Sequence, residues 1–402
     1  MRTATGCTTV KPLLVTVVLC ALPFPLTCQQ PVSVPEQGPE KPASISLNSL
    51  GRAIDLSAHY LESACGPTGR FTYLLDPTSG RQSSSYNIIR HAGAMYGLAM
   101  LNRANPDRKA VEAMMRAAAF LRASYISTDA RSGALAVWSR PRGIASQASL
   151  GAAGLGLAAL AEVDQAQPNT VPVTELEGLG KFIVFLQRSD GSFASRYRAD
   201  AGPDEEWDSL YYPGEAALGL VKLYEIDHNS EWLEASGRLL SWLARSRGRA
   251  EQVPLDHWTL IAMARLLSYC GESECSIKRV ELIRYAEQVS DALLSGQAAN
   301  GSFDEVGRTA PTATRMEGLL AALEFLPDDA TKRRARIQAA VDRGIAFLLR
   351  AQITNGPYAG GMPQAMPEAK SVLVQRNPRA SDIRIDYVQH ALSAWLRYQG
   401  RS

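Results

Sequence analysis

The chain has 402 residues, of which 46% are hydrophobic and 20% charged, and its 42 basic residues nearly balance its 40 acidic ones. This composition is typical of a globular protein and excludes a fibrous or low-complexity one. A net charge of +2 provides no field that would attract nucleic acid or an anionic membrane.

Residues 1–28 are predicted to be a secretory signal peptide. Arg2 and Lys11 precede an apolar run that is short and broken by proline, unlike a membrane span. We therefore expect an exported chain, periplasmic or secreted, with no transmembrane segment after cleavage. The run ends at Cys28, so a lipid anchor there is an alternative, although residues 25–27 fit poorly with the small residues expected before a lipidated cysteine.

After a linker at residues 29–45, which is rich in Pro and Gln and predicted to be disordered, two kinds of helical segment alternate. One kind is amphipathic, with a charged stripe opposite an apolar one, as in EWLEASGRLLSWLARS at 231–246. The other is poor in charge and rich in Gly and Ala, as in QASLGAAGLGLAALAEV at 147–163. Each glycine costs a helix about 0.5–1 kcal/mol, which predicts close packing against neighbouring helices in an inner layer.

The turns between these segments repeat one plan. At 185–193, 293–303 and 347–358 an apolar helix ends at Gln or Arg, an Asp-Gly or Asn-Gly turn follows, and an aromatic residue comes next, with a degenerate copy at 120–135. Such repetition is typical of stacked helical hairpins. The sequence therefore predicts an all-α (α/α)6 toroid at residues 46–402, with six inner helices that begin near Tyr86, Gln147, Tyr211, Asp256, Thr312 and Asp382.

In a toroid the inner helices run parallel, so polar residues in their first turns should meet in one cavity. The candidate substrate-binding residues are Tyr86, Asn87, Arg90, His91, Trp207, Tyr211, Tyr212, His257, Trp258, Arg315 and Tyr387. The candidate catalytic residues are Glu215, Asp256, Glu317, Asp386 and His390. Because aromatic rings stack on sugar rings and carboxylates transfer protons, this set predicts a carbohydrate site.

Helical spacing predicts some contacts within this set. Asp386 and His390 are four residues apart, so the carboxylate would hold the imidazole N–H and raise its basicity. Arg90 and Arg315 would bind a substrate carboxylate, which suits uronic acid units. The alternatives are that Arg90 neutralises an acidic residue across the ring and that each histidine is a satisfied core residue.

No metal or other cofactor is expected. Cys270 and Cys275 enclose four residues, a spacing that suits a small disulfide loop, with two free thiols as the alternative, and Cys65 has no obvious partner. No local set of thiolates and imidazoles predicts zinc. The inner segments also contain His91, His257 and His390. A metal site built from all three is doubtful, because the fourth inner helix, with His257, should lie across the ring from the first and sixth.

The helix-rich plan and the segment YYPGEAALGLVKLYE at 211–225 resemble the six-hairpin toroids of carbohydrate-active enzymes. That superfamily includes glycoside hydrolases, polysaccharide lyases and uronate epimerases, and YNIIRH at 86–91 is similar to a stretch in the toroidal domain of glucuronyl epimerases. The repeated turns also resemble those of squalene-cyclase and prenyltransferase toroids, but the chain lacks their Asp-x-Asp-Asp motif and their zinc ligands. The resemblance implies the fold more firmly than the reaction.

The favoured function is that of an exported glycoside hydrolase acting on a poly- or oligosaccharide that could contain uronate. Two carboxylates would then lie about 5–10 Å apart beside an aromatic groove. With a uronate substrate, a lyase or epimerase reaction through Tyr or His is an alternative. The other class is a non-catalytic cell-envelope protein that binds or assembles polysaccharide, since toroids support many roles.

Overall fold

The structure is a computed structural model that describes residues 45–140, 145–270, 277–304, 306–366 and 379–401. These residues belong to one compact unit that spans residues 42–402. The predicted signal peptide with Cys28, and almost all of the predicted linker, lie outside the described residues. Within the described ranges, no helix is both long enough and apolar enough to cross a membrane.

The described residues form twelve α-helices in two layers. The outer layer consists of α1 (Leu47–Ala64), α3 (Arg108–Tyr125), α5 (Val173–Phe185), α7 (Ser230–Ser246), α9 (Arg279–Leu294) and α11 (Thr331–Ala351). The inner layer consists of α2 (Ile88–Ala104), α4 (Leu150–Ala166), α6 (Tyr212–Asp227), α8 (His257–Leu267), α10 (Thr309–Phe325) and α12 (Ile385–Gln399). Each inner helix packs against the next and α12 packs against α2, so the ring is closed and the predicted (α/α)6 toroid is confirmed.

Burial explains why two kinds of helix occupy the two layers. α7 buries a single stripe that includes Trp232 and Leu239 and exposes its charged residues. By contrast, α4 is buried without interruption over residues 150–163. Each leucine buried in this way contributes about 1.5–3 kcal/mol to folding. α6 approaches α4 so closely that a Cβ atom on Gly154 would lie 2.5 Å from the backbone nitrogen of Ala216, which explains the glycine in a helix interior.

In three of the repeated turns a glutamine side chain links one outer helix to the next. The side-chain amides of Gln187, Gln297 and Gln352 each donate to a backbone carbonyl of the following outer helix, at 3.0, 2.9 and 2.9 Å. The last of these bonds reaches Ala53 in α1 and so joins the two ends of the outer layer. The glutamine in the repeat is therefore a structural link between hairpins.

The sequence analysis predicted no strands, and here the structure differs. β1 (Leu74–Leu75) pairs with β7 (Ile383–Arg384). A five-stranded antiparallel sheet contains, in order, β2 (Ile126–Thr128), β3 (Leu135–Ser139), β4 (Gln147–Ser149), β5 (Arg196–Arg198) and β6 (Gly202–Asp204). β4 runs directly into α4, so the sheet lies at the mouth of the ring. Strands this short carry too few residues for an alternating pattern to be recognised.

A buried charge cluster lies at the end of the ring opposite the mouth, among the C-terminal halves of inner helices. Lys222 in α6 has a side chain that is 1% exposed and lies 2.6 Å from Glu162 in α4 and 2.8 Å from Glu225. Arg265 in α8 pairs with Glu225, and Arg103 in α2 pairs with Glu162. Every charge in the cluster has an opposite partner, so the Coulomb attraction offsets part of the cost of burying it, and removal of one partner would leave an uncompensated buried charge.

The cysteines after the linker separate into two classes. Cys270 is disulfide-bonded, while its predicted partner Cys275 lies outside the described residues. Cys65 is a buried free thiol whose Sγ lies 3.4 Å from the carbonyl oxygen of Ala113.

Candidate active site

The N-terminal turns of the inner helices surround a cavity of about 540 Å³, here called the central cavity. Its volume falls within the range of about 300–1,000 Å³ found for small-molecule sites. Most of the predicted site residues line it, and these are Asn87, Arg90, Tyr211, Tyr212, Glu215, His257, Trp258, Arg315, Asp386, Tyr387 and His390. Tyr86, His91, Trp207, Asp256 and Glu317 do not line it.

His91 and Tyr86 form part of the core beside this cavity. Nδ1 of His91 lies 2.8 Å from the Tyr86 hydroxyl, and Nε2 lies 3.0 Å from the carbonyl oxygen of Ala117. The Tyr86 hydroxyl also accepts a hydrogen bond from the backbone N–H of Phe71. Burial lowers the pKa of His91 to about 4, so the ring is neutral. The structure thus gives His91 a structural role in the core, whereas Tyr86 and Trp207 both line a neighbouring cavity.

Asp256 is fully buried and serves as the N-cap of α8. Its Oδ1 accepts the backbone N–H of Thr259 at 3.1 Å, and its Oδ2 accepts the Thr259 hydroxyl at 2.7 Å. Oδ2 also pairs with Arg247 at 2.7 Å, and that guanidinium donates to the backbone carbonyls of Ser209 and Leu210. These bonds hold the segment that precedes α6 and commit both carboxylate oxygens to the fold, which does not suit the predicted catalytic role.

Asp386 lines the central cavity but is bound by two arginines. Nε of Arg90 lies 3.0 Å from Oδ2, and Arg384 donates through Nε and Nη2 at 2.5 and 2.8 Å. Arg90 also donates to the hydroxyl of Tyr73. The predicted contact between Asp386 and His390 is not formed in the described structure, because the arginines occupy the carboxylate. Both oxygens of Asp386 are thus held by guanidinium groups of the protein itself.

His257, Glu317 and His390 form a buried cluster at the cavity wall. Nδ1 of His390 lies 2.7 Å from Oε2 of Glu317, and Nε2 of His257 lies 3.9 Å from the same oxygen. The two imidazole centroids are 5.7 Å apart. Both imidazoles line the cavity, whereas Glu317 is 1% exposed and lies behind them. Glu317 is therefore the carboxylate partner of His390.

The two imidazoles differ in their affinity for a proton. Burial, and then the charges of His390 and Arg397, lower the pKa of His257 well below its usual value. Burial also disfavours a charge on His390, but the charge and hydrogen bond of Glu317 outweigh it and raise the pKa of His390. Among the described residues, neither ring nitrogen of His257 has a hydrogen-bond partner. The site therefore places an imidazole that resists protonation, His257, beside one that binds a proton more readily, His390.

Glu215 enters the cavity from the first turn of α6 and is 4% exposed. Burial, and then the negative charge of Asp256, raise the pKa of Glu215 well above its usual value, against an opposing effect of Arg90. Its Oε2 is buried and has no hydrogen-bond partner in the described part of the chain. A protonated carboxyl group in this position can donate a hydrogen bond or a proton to a ligand.

The histidine cluster could also hold a metal ion. One ligand atom each from His257, Glu317 and His390 lies within 4.8 Å of the others, and two imidazoles with a carboxylate suit zinc or iron(II). His257 and His390 lie closer together than predicted, because only α10 separates α8 from α12. His91 is not part of this cluster, since it is bonded to Tyr86 and Ala117. In the structure, two of the three ligand atoms hydrogen-bond to each other.

Some cavity residues were missed by the sequence analysis. Arg308 lines the cavity because α10 begins at Thr309 rather than near Thr312, which brings the preceding residue to the mouth. Gln364 enters from the loop after α11, where no motif pointed to the site. Arg315 was predicted, and its Nη1 donates to two backbone carbonyls, which holds its charge in place.

No family model matches the sequence and no curated protein sequence does either, but solved structures match over nearly its whole length. The cellobiose 2-epimerase of Bacillus thermoamylovorans has a TM-score of 0.65 at 12% identity and covers 88% of this chain and 99% of its own. A D-mannose isomerase has a TM-score of 0.63 at 10% identity, with coverage of 90% and 100%. An α-1,6-mannanase of Salegentibacter sp. has a TM-score of 0.63 at 12% identity, with coverage of 87% and 98%. At these identities the likeness establishes the fold alone, an (α/α)6 toroid.

Proposed function

We propose that the chain is an enzyme that moves a proton at the carbon beside the carbonyl group of a reducing sugar, as a sugar epimerase or isomerase does. The observation that carries this proposal is the pair of His257 and His390 on one cavity wall. A neutral imidazole can accept a proton and an imidazolium can donate one, and pKa values that diverge in this way are typical of acid–base pairs. A cellobiose 2-epimerase and a D-mannose isomerase among the structural relatives support it.

The proposed reaction begins with an open-chain aldose in the central cavity. A ring nitrogen of His257 takes the proton from C2, the electrons of that C–H bond form the double bond of an enediol, and His390 gives its proton to the carbonyl oxygen. Return of the O1 proton to His390, with delivery of a solvent proton to the opposite face of C2, yields the epimer, and His257 then releases its proton to solvent. Return of a proton to C1, with loss of the proton on O2, yields the ketose. Glu215, in its protonated form, is placed to donate a hydrogen bond to a sugar hydroxyl.

Glycoside hydrolysis is the second candidate, and the protonated Glu215 favours it as a general acid. A hydrolase also needs a free carboxylate about 5–10 Å away. Asp386 is neutralised by two arginines, and Asp256 and Glu317 are bonded within the protein. The geometry therefore favours proton transfer by histidine. Neutralised carboxylates also suit the alternative of a non-catalytic polysaccharide-binding protein.

The test is exchange of the C2 hydrogen with solvent. Glucose, mannose, galactose and cellobiose are incubated in D₂O with the purified chain after dialysis against EDTA, and ¹H NMR follows the H2 signal. We expect exchange together with new epimer or ketose signals. Because general acid–base catalysis contributes roughly 10²–10⁴-fold, His257→Gln and His390→Gln should lose at least about 100-fold. The matched control is His59→Gln, which changes an exposed histidine on α1.

Other outcomes would identify other functions. Release of reducing ends from polysaccharides, abolished by Glu215→Gln but retained in His257→Gln, would indicate a hydrolase. Loss of exchange after EDTA, with recovery on addition of zinc, would show that the histidine cluster acts through a metal. Binding of an oligosaccharide without turnover in either assay would favour the binding protein.

Export is part of the same proposal and rests on residues 1–28. We expect the full-length chain to reach the periplasm or the medium with these residues removed. Mass spectrometry of the mature N-terminus distinguishes plain cleavage from a lipid on Cys28, and a cytoplasmic chain that retains residues 1–28 would contradict the proposal.

A further inference from the structure

A second cavity, of about 440 Å³, adjoins the central cavity and is here called the side cavity. Asn87, Ile89 and Tyr212 line both spaces, so the two cavities meet at these side chains. The rest of the side cavity is built largely on strands β3, β4 and β5. The sheet is not needed to close the helical ring, and it adds a binding surface beside the mouth.

The side cavity contains an exposed aromatic platform. Trp207 is 36% exposed, and its ring centroid lies 5.6 Å from that of Tyr212. The guanidinium of Arg196 lies 5.0 Å from the Trp207 ring and is itself held by Asp204. Burial of an aromatic ring against an apolar surface is favourable, so a tryptophan that is fixed in place and still exposed offers a stacking surface for a pyranose ring.

The side cavity is also electropositive. Arg140 and Arg196 line it, and no carboxylate does among the described residues. Arg196 is paired with Asp204, whereas Arg140 is exposed and forms no ion pair in the part of the chain that the structure describes. An unpaired guanidinium binds a carboxylate in a bidentate manner. Ser139 supplies a hydroxyl group beside it for neutral hydrogen bonds.

The proposed reaction requires a free carbonyl group, so only the reducing-end unit of an oligosaccharide can react in the central cavity. The next unit would then cross Tyr212 into the side cavity. We propose that the side cavity binds a second, negatively charged sugar unit, so that the substrate is an acidic oligosaccharide with a uronate next to its reducing end. The orientation of the oligosaccharide, with its reducing end in the central cavity, rests on the proposed function. The negative charge of the second sugar unit is inferred from the side cavity alone.

The experiment compares two disaccharides that differ only in one carboxylate, cellobiose and glucuronosyl-β-1,4-glucose, with glucose as the one-unit reference. Exchange kinetics give KM, and isothermal titration calorimetry gives Kd whether or not turnover occurs. We expect the acidic disaccharide to bind about three- to tenfold more tightly than cellobiose at low salt, with the preference falling as salt increases. Arg140→Gln should remove this preference, because it should weaken binding of the acidic disaccharide much more than binding of cellobiose.

Trp207→Ala tests the stacking surface. It should weaken binding of both disaccharides about three- to tenfold, and raise KM for glucose by a smaller factor. Tyr269→Ala is the matched control, because Tyr269 is similarly exposed, at 37%, and lies just after the C-terminus of α8, away from the mouth. Equal affinity for the two disaccharides in the unmodified chain, or disaccharide binding unaffected by Trp207→Ala, would overturn the inference.

The same data separate this inference from the proposed reaction. If glucose exchanges its C2 hydrogen but the disaccharides show no selectivity, the reaction stands and the second unit is refuted. If no sugar exchanges but the acidic disaccharide binds selectively through Arg140 and Trp207, the binding site stands and the reaction is refuted.

Discussion

Replacement of Glu317 by glutamine tests the protonation states on which the proposed reaction depends. The carboxylate accepts a 2.7 Å hydrogen bond from Nδ1 of His390 in a site where Glu317 is 1% exposed. A hydrogen bond to a charged partner contributes about 1.5–3 kcal/mol. At about 1.4 kcal/mol per tenfold change, Glu317→Gln should lower the proton-binding constant of His390 by roughly 10- to 150-fold.

The assay is the pH profile of kcat/KM for C2–H exchange. Activity requires neutral His257 and charged His390, so the acid limb reports the lowered pKa of His257 and the basic limb the raised pKa of His390. In Glu317→Gln the basic limb should move to lower pH and the profile should narrow. Glu324→Gln is the matched control, because Glu324 also joins α10 to α12 through its pair with Arg397 but lies away from the cavity.

NMR titration of labelled histidine measures the charge of His390 directly, even in an inactive variant. If the pKa of His390 in Glu317→Gln equals that of the unmodified chain, or if the basic limb does not move, the role assigned to Glu317 is refuted.

Further predictions concern stability, each measured by chemical denaturation. Glu215→Gln should stabilise the chain at neutral and higher pH. The folded pKa of Glu215 is raised, so ionisation of this group destabilises the folded chain as pH rises above the unfolded pKa. If the free energy of unfolding depends on pH in the same way with and without the substitution, this prediction is wrong. Lys222→Met should lower the free energy of unfolding by about 3–5 kcal/mol because it leaves Glu162 buried without its closest partner. Lys181→Met, at an exposed ion pair, should change it by less than about 1 kcal/mol. Similar losses in the two variants would show that Lys222 does not stabilise a buried charge cluster. The pKa of His91 is about 4 in the folded state and about 6.5 unfolded, so the unfolded chain binds the extra proton and stability should fall by about 3 kcal/mol from pH 6.5 to 4. His91→Phe should flatten that loss, and an equally steep loss in this variant would refute the assignment.

Periodicity along the chain was sufficient to predict the layers of the ring. Inner helices are buried on all sides, so their low charge and small residues distinguish them from amphipathic outer helices, as α4 and α7 illustrate. The first residues of the helices were predicted less accurately. α10 begins at Thr309 and not near Thr312, and Arg308 was therefore not recognised as a cavity residue. The short strands were missed because tertiary pairing, rather than local pattern, stabilises them.

Partner choice within the site could not be predicted in the same way. A spacing of four residues correctly places Asp386 and His390 on one face of α12, but it contains no information about side chains from other helices. Arg90 from α2 reaches Asp386, and Glu317 from α10 reaches His390. Each of these contacts depends on how closely neighbouring helices of the ring approach each other, which is a property of the folded packing.

The closed ring has a seam where α12 meets α2, and the bonds near it join residues far apart in sequence, as Arg90 joins Asp386 and Gln352 joins Ala53. His390, one member of the proposed catalytic pair, lies on α12. The ribosome makes this helix after the other eleven described helices, so a chain truncated before α12 lacks His390 of the proposed site and leaves the apolar flanks of α2 and α10 uncovered. If the proposed reaction is correct, activity requires that α12 has packed against α2 and α10. Chains in which α12 has not packed expose apolar surface and should be bound by chaperones or degraded by proteases.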